Sequence, residues 1–383
     1  MRHGFIIIVP AILSAACDAA PSDGWPIRTD SAGLTVVRWG PDDIPLDWSF
    51  EPVLEIGTED GPGAFGRIMP SGIGVDGSGR IHVLDVLAFR VTTFDAAGSP
   101  IRSVGRAGSG PGELRFPSDL GVRPDGALAV FDFDRRAFVR FDSSGAAMSD
   151  VSAPGPLMRR VAWTTDGIAG AYRFEGEGDT ATIRLLIRDP ADTVAITLAS
   201  IGEPPAREVD LGCAVIGFRP LLGAALVWSA HGGRMAVAAG TDYAIEIHDG
   251  TRQTAVWRRD LDPLAGSATL AAAELGGDSM RLPGPGGCRV AAADAAGRIG
   301  FHDTAAHVGD LIVAPDGGVW VSHRLRAGGR AIDVWSATGE YRGTLPAGAP
   351  FPAAFHGTDR FITIARDSLG VQRLRIWRID GPS

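Results

Sequence analysis

The sequence predicts an all-β fold, a β-propeller of six blades, and three observations carry that prediction. Residues 57–85, GTEDGPGAFGRIMPSGIGVDGSGRIHVLD, return as residues 105–132, GRAGSGPGELRFPSDLGVRPDGALAVFD. Pro70-Ser71 matches Pro117-Ser118, Gly74-Val75 matches Gly121-Val122, and Asp85 matches Asp132. A period of about 47 residues belongs to solenoids, propellers and arrays. A shorter core, a turn ending in Gly followed by an apolar strand, recurs six times, at 75–85, 123–132, 164–174, 231–240, 314–323 and 357–367. Its apolar runs do not alternate strictly, as expected of small sheets buried on both faces.

The N-terminus, MRHGFIIIVPAILSAACDAAPSDG, reads as a targeting segment. Arg2 and His3 precede an apolar run over 5–16, too short for a permanent membrane span. Small residues then lead to Cys17, and the arrangement resembles the lipobox of bacterial lipoproteins. Ser14 stands where that pattern prefers leucine. The expected organisation is a signal peptide over 1–16, a tether over 17–29 and one propeller domain over 30–383. Cys17 is the expected lipid anchor in the cell envelope, and the alternative is a plain signal with a periplasmic or secreted product. No other segment is long and apolar enough to cross a membrane.

Strand-like alternation begins at DSAGLTVVRWG (30–40) and WSFEPVLEIG (48–57). The repeat units follow, with Asp-Gly and Gly-Gly turns that favour the positive φ of tight hairpins. The glycine-rich stretch GRAGSGPGELRFP (105–117) is punctuation within a repeat. A phosphate cradle needs a helix straight after its glycines, whereas Pro117 and Pro124 interrupt any helix here, and the chain contains no lysine. The Ala-rich segment 263–300 predicts an insertion with one or two short helices. Within it DAAGRIGFHD (294–303) resembles a repeat turn and strand, so seven blades is the alternative count. The ring must close, and either 34–39 or 50–56 is expected beside LRIWRI (374–379).

The combined unit, D-G-x-hydrophobic-x-V-x-D, then F/W-D-x-x-G, then G-x-x-G-x-G-P-G-E-F/L, resembles the NHL-type six-bladed β-propeller. It resembles most the exported bacterial group of that type, often lipoproteins. The resemblance covers nearly the whole mature chain and is most specific over 48–145. It implies the fold; it implies little about activity, because propellers host enzymes, receptors and scaffolds alike.

Chemistry is sparse in the sequence. The formal charge is −9 with no basic stripe, which argues against nucleic-acid binding. His302, Asp303 and His307 form the nearest approach to a metal constellation, but zinc needs three or four ligands with fixed supports. His323, at a strand end, is a candidate for the central channel; His82, on the matching strand of another unit, reads as structural. Arg106, Glu113 and Arg115 are candidates for loop-face binding. Two acidic groups, Glu51, Glu55, Glu59 and Asp60, and Glu175, Glu177 and Asp179, lack the spacing of a known calcium loop. No metal and no cofactor is expected, with calcium as the one possibility held open. No G-x-S-x-G elbow is present.

Two functions follow from different classes. The first is a cell-envelope binding or scaffold propeller without a catalytic site, monomeric, touching the membrane through its lipid only and holding an envelope protein or small ligand. The second is a propeller-type hydrolase or lyase such as a sugar-lactone hydrolase. Those enzymes hold calcium with Glu, Asn and Asp, and this chain has no asparagine. With Cys17 lipidated, Cys213 and Cys288 remain as an even pair, and a disulfide between them is expected in an oxidising compartment. The alternative is two separate buried thiols.

Overall fold

The computed structural model describes residues 24–381, apart from 60, 62, 165, 177–180, 190–194, 277, 283–287 and 368–369. The targeting segment and Cys17 lie outside the described residues, as do Asp60, Glu177 and Asp179. Six small sheets stand in a ring. Blade one comprises Ile73–Val75, Ile81–Asp85, Arg90–Phe94 and Pro100–Val104. Blade two is Pro117–Val122, Leu128–Asp132, Ala137–Phe141 and Val151–Ser152. Blade three is Leu157–Thr164, Gly167–Glu175, Ala181–Arg188 and Ala195–Glu203. Blade four contains Ala225–His231, Arg234–Gly240, Ala244–Asp249 and Arg252–Arg259. Blade five contains Val308–Val313, Val319–Arg324, Arg330–Trp335 and Tyr341–Thr344. Blade six joins Ala354–Phe355, Arg360–Arg366 and Gln372–Asp380 to Ser49–Ile56 from the start of the chain.

Each blade is an antiparallel sheet with its first strand innermost, and the first strands of blades six, one, two, three, four and five touch in succession. The apolar core divides the same way, into one cluster at each of the six blade junctions. Alternation along one strand serves two junctions. Ile81 and Val83 pack toward blade six while Leu84 packs toward blade two. Such a sheet buries both faces, which is why the sequence shows runs rather than clean alternation.

Closure uses Ser49–Ile56, whose Leu54 and Ile56 stand opposite Ile376 and Leu374. The other candidate, Leu34–Trp39, runs parallel to Arg252–Arg259 on the outer edge of blade four and carries Ile27–Ser31 outside it. Between them Ile44, Pro45 and Leu46 bond to Thr344 of blade five. The first strands of the chain thus form a belt across blades four, five and six.

The insertion has two helices, α1 (Ala268–Glu274) and α2 (Ala292–Ile299). The stretch that resembled a seventh repeat folds largely as α2, so the blade count is six. The described residues of 204–222 and 261–306 build a cap on the connections that enter blades four and five. Val209 and Leu211 from the first segment pack with Leu282, Val290, Ala295 and Ile299 from the second. Cys213 and Cys288 join the two segments, with α-carbons 5.9 Å apart. Glu274, at the end of α1, takes Arg324 of blade five through a paired contact at 2.9 and 3.0 Å. Among the described residues no helix is long and apolar enough to cross a membrane.

Candidate functional site: the central channel

The six first strands surround a cavity of about 1060 Å³. It runs from Pro70 and Ser71 on one face to the turns around Gly77, Asp166, Gly232 and Gly357 on the other. Its wall mixes apolar residues such as Val75, Leu120, Val122, Ile312, Val313 and Phe355 with polar ones such as Ser71, Arg160, Thr164 and Ser229. Channels of this size and character suit small ligands.

The repeated Gly-Val pair explains how the wall packs. A β-carbon on Gly74 would lie 2.4 Å from Val122 Cγ2, and one on Gly121 would lie 3.0 Å from Val161 Cγ1 and 3.4 Å from Trp163. Val122 of blade two and Val161 with Trp163 of blade three lean over the glycine of the preceding blade, so glycine there permits a tight ring.

Counting back three residues from Val75, Val122, Trp163 and Val313 gives Gly72, Asp119, Arg160 and Asp310, one ring position in blades one, two, three and five. Register shifts in blades two, three and five mark this level as a set of bulges, which re-aim side chains. Arg160 has a left-handed backbone, φ 59°. Its backbone N–H donates to Asp119 Oδ1 at 2.9 Å. Its guanidinium passes blade four and takes both carboxylate oxygens of Asp310, at 2.8 and 2.9 Å, while Nη1 donates to the Leu311 carbonyl at 3.1 Å. This ion pair crosses the channel near the Ser71 end.

Trp163, three residues further along the same strand, lines the channel. The Arg123 guanidinium lies 5.3 Å from its ring centroid. Its indole N–H, like that of Trp228 on blade four, is buried without a hydrogen-bond partner among the described residues. Sequence reasoning missed Arg160, Asp119 and Asp310. The usable signal was the repeat alignment, which puts charge at a level where blade one has Gly72.

The residues singled out from sequence lie elsewhere. Glu113 accepts from the Gly110 N–H and from Arg106, both at 2.8 Å, and closes the glycine-rich loop over buried Leu114. The Gly110 N–H, with Arg106, holds its carboxyl below the usual range. Asp132 receives the Arg115 and Phe116 N–H groups, as Asp85 receives those of Gly66 and Arg67, so the repeated aspartate fastens the repeated loop. Arg115 pairs with exposed Asp134 at 3.2 Å. His302 packs beside Gly223, and His307 Nε2 donates to the Asp262 carbonyl at 3.1 Å. His323 does not reach the channel; it lies on the second strand of blade five, buried at the junction with blade four against Tyr243. Glu51 and Glu55 pair with Arg378 and Arg375, and Glu175 with Arg173. Among the described residues no group of three or more His, Cys, Asp or Glu converges as a metal site.

One buried trio has the polarity of a catalytic triad. Burial lowers the His82 pKa, so the neutral ring donates from Nε2 to Asp76 at 3.0 Å, and Nδ1 accepts from Thr93 at 3.1 Å. Thr93 is only 1% exposed, which leaves its hydroxyl no path to a substrate. The trio is a structural strut of blade one.

No family model and no curated protein matches the chain. Among solved structures it is similar to an exported-protein candidate from Bacteroides fragilis, 11% identical, covering 90% of this chain and 99% of that one with a TM-score of 0.50. It is also similar to a member of the DUF4221 family from Bacteroides vulgatus, 10% identical over 88% of this chain and 99% of that one, TM-score 0.47. A third is the PQQ-bound aldose sugar dehydrogenase of Streptomyces coelicolor, 14% identical over 88% and 99%, TM-score 0.41. The likeness to the first is one of fold.

Proposed function

We propose that the protein is an exported NHL-type propeller that binds a small ligand in its central channel and acts as a monomeric binding module of the cell envelope, anchored by lipid on Cys17. The observation that carries the reading is the channel itself, a cavity of about 1060 Å³ with apolar and polar wall residues and an ion-paired arginine. Export rests on the N-terminal segment, and a protein of the same fold is itself described as an exported candidate. Native mass spectrometry of protein purified from the envelope tests the binding. A small-molecule adduct is expected on the wild type and not on Ala162→Phe, which fills the channel wall while the ring still melts cooperatively. An adduct-free wild type, or an adduct retained by the filled variant, counts against channel binding. Cell fractionation of Cys17→Ser tests the anchor: release from membranes is expected.

A further inference from the structure

Resting on that reading, we infer that the channel takes a molecule with a carboxylate head and a largely apolar body, and that the head displaces Asp310 from Arg160. Arg160 Nη2 already holds both oxygens of a carboxylate, at 2.8 and 2.9 Å, a charge-assisted contact that another carboxylate can reproduce. Its aim does not depend on Asp310. The backbone N–H is tied to Asp119, Nη1 is tied to the Leu311 carbonyl, and the left-handed φ of 59° is held by the surrounding bulge. Asp310 is the more exposed partner, its side chain 37% exposed against 24% for Arg160, and it keeps the Leu311 N–H on Oδ1 at 2.9 Å when the guanidinium is taken. A pair this open to solvent is worth little by itself, so exchanging one carboxylate for another on the same guanidinium costs little.

Beyond the head, the wall offers Val122, Ile312, Val313 and the Trp163 ring to an apolar body. An alkyl acid and a peptide C-terminus share this chemistry.

Calorimetry with two acids and their neutral amides tests the inference on the full chain: octanoate against octanamide, and N-acetyl-phenylalanine against its amide. At least one acid is expected to bind, about tenfold or more tighter than its amide. The acid that binds identifies the source. Asp310→Asn frees the guanidinium and is expected to tighten acid binding about tenfold, whereas Arg160→Gln abolishes it and Arg160→Lys keeps part. If Arg160→Gln fails to fold, the Asp310→Asn result decides alone. Equal binding of acid and amide, acid binding that survives Arg160→Gln, or no acid binding to either wild type or Asp310→Asn overturns the inference. A neutral adduct recovered from the channel would overturn it too while leaving channel binding intact.

Discussion

Asp333 of blade five receives Arg259 of blade four at 3.0 Å, and neither side chain has any exposed surface. Tyr243 and Thr344 donate to the same carboxylate at 2.7 Å each, and the far side of the guanidinium reaches the Pro41 carbonyl and Asp43 in the N-terminal belt. One network therefore ties the belt to the junction of two blades. Breaking a buried pair strands the other charge, at a cost of about 3–5 kcal/mol. Asp333→Ala and Arg259→Ala are each expected to destabilise by that order in urea unfolding. The double change to a matched apolar pair is expected to recover much of the loss.

The same carboxylate gives an acid limb. Burial alone would raise its pKa, but His323, Arg259 and Thr344 outweigh burial and hold it down to about 2, from an ordinary 3.8. A group held lower in the folded state stabilises fully above its unfolded pKa and loses that contribution as pH falls through the folded value. The loss is about 2 kcal/mol, spread between roughly pH 4 and pH 2. Asp76 is lowered in the same direction by Ser78, His82 and Arg80, against the opposing effect of burial. Melting temperature followed from pH 6 to pH 2 is expected to fall through this window, and Asp333→Asn is expected to flatten the fall.

Gly74 offers a sharper packing test. Its missing β-carbon would collide with Val122 Cγ2, whereas nothing about the position requires an unusual backbone. Gly74→Ala is expected to cost about 1–3 kcal/mol by overpacking. Gly74→Ala with Val122→Ala makes room, and the double variant is expected to be less destabilised than the sum of the two changes. Additive losses would place the strain elsewhere.

What the sequence made legible is what it repeats. Gly74 and Gly121, and Asp85 and Asp132, occupy matching places because blades one and two solve the same two problems: a close approach at the channel and a fastened loop. The helical insertion was legible from its alanines, which favour helix where strand formers are missing. The ion pairs that tie blades together were not legible. Arg160 and Asp310 lie 150 residues apart and Arg259 and Asp333 74 apart, and neither pair recurs from blade to blade. His323 was misplaced because an apolar run ending in a polar residue looks the same on a first strand as on a second. Only the ring geometry separates the channel from a buried junction.

The belt is expected to divide sharply between a dispensable and an indispensable part. Ile27–Ser31 is exposed along its whole length. Ser49–Ile56 completes blade six, and Ile56, only 2% exposed, belongs to the junction of blades six and one. A chain starting at Leu34 is expected to melt within a few degrees of the full protein. A chain starting at Thr58 leaves Gln372–Asp380 as an open edge and is expected to lose cooperative melting or aggregate. A monomeric, normally melting product of the second deletion would refute closure by this strand.

The bridge between Cys213 and Cys288 should stabilise the cap rather than the ring. It closes a span of 75 residues, and a loop of that length corresponds to about 4 kcal/mol of restriction on the unfolded chain. That span includes all of blade four, yet the blade four junctions are packed by residues such as Trp228, Val237 and Trp257 that do not touch the bridge. The cap has its own core around Leu211, Val290 and Ile299, with Cys288 beside it. Segments with a small core and few anchors, here Arg324 and Arg330 on Glu274 and Arg324 on the Ala306 carbonyl, open before the body they rest on. Hydrogen exchange on the Cys213→Ser, Cys288→Ser variant is therefore expected to speed up in α1 and α2 while the amides of blades one to three keep wild-type protection. Faster exchange spread evenly over all six blades would mean instead that cap and ring unfold as one unit.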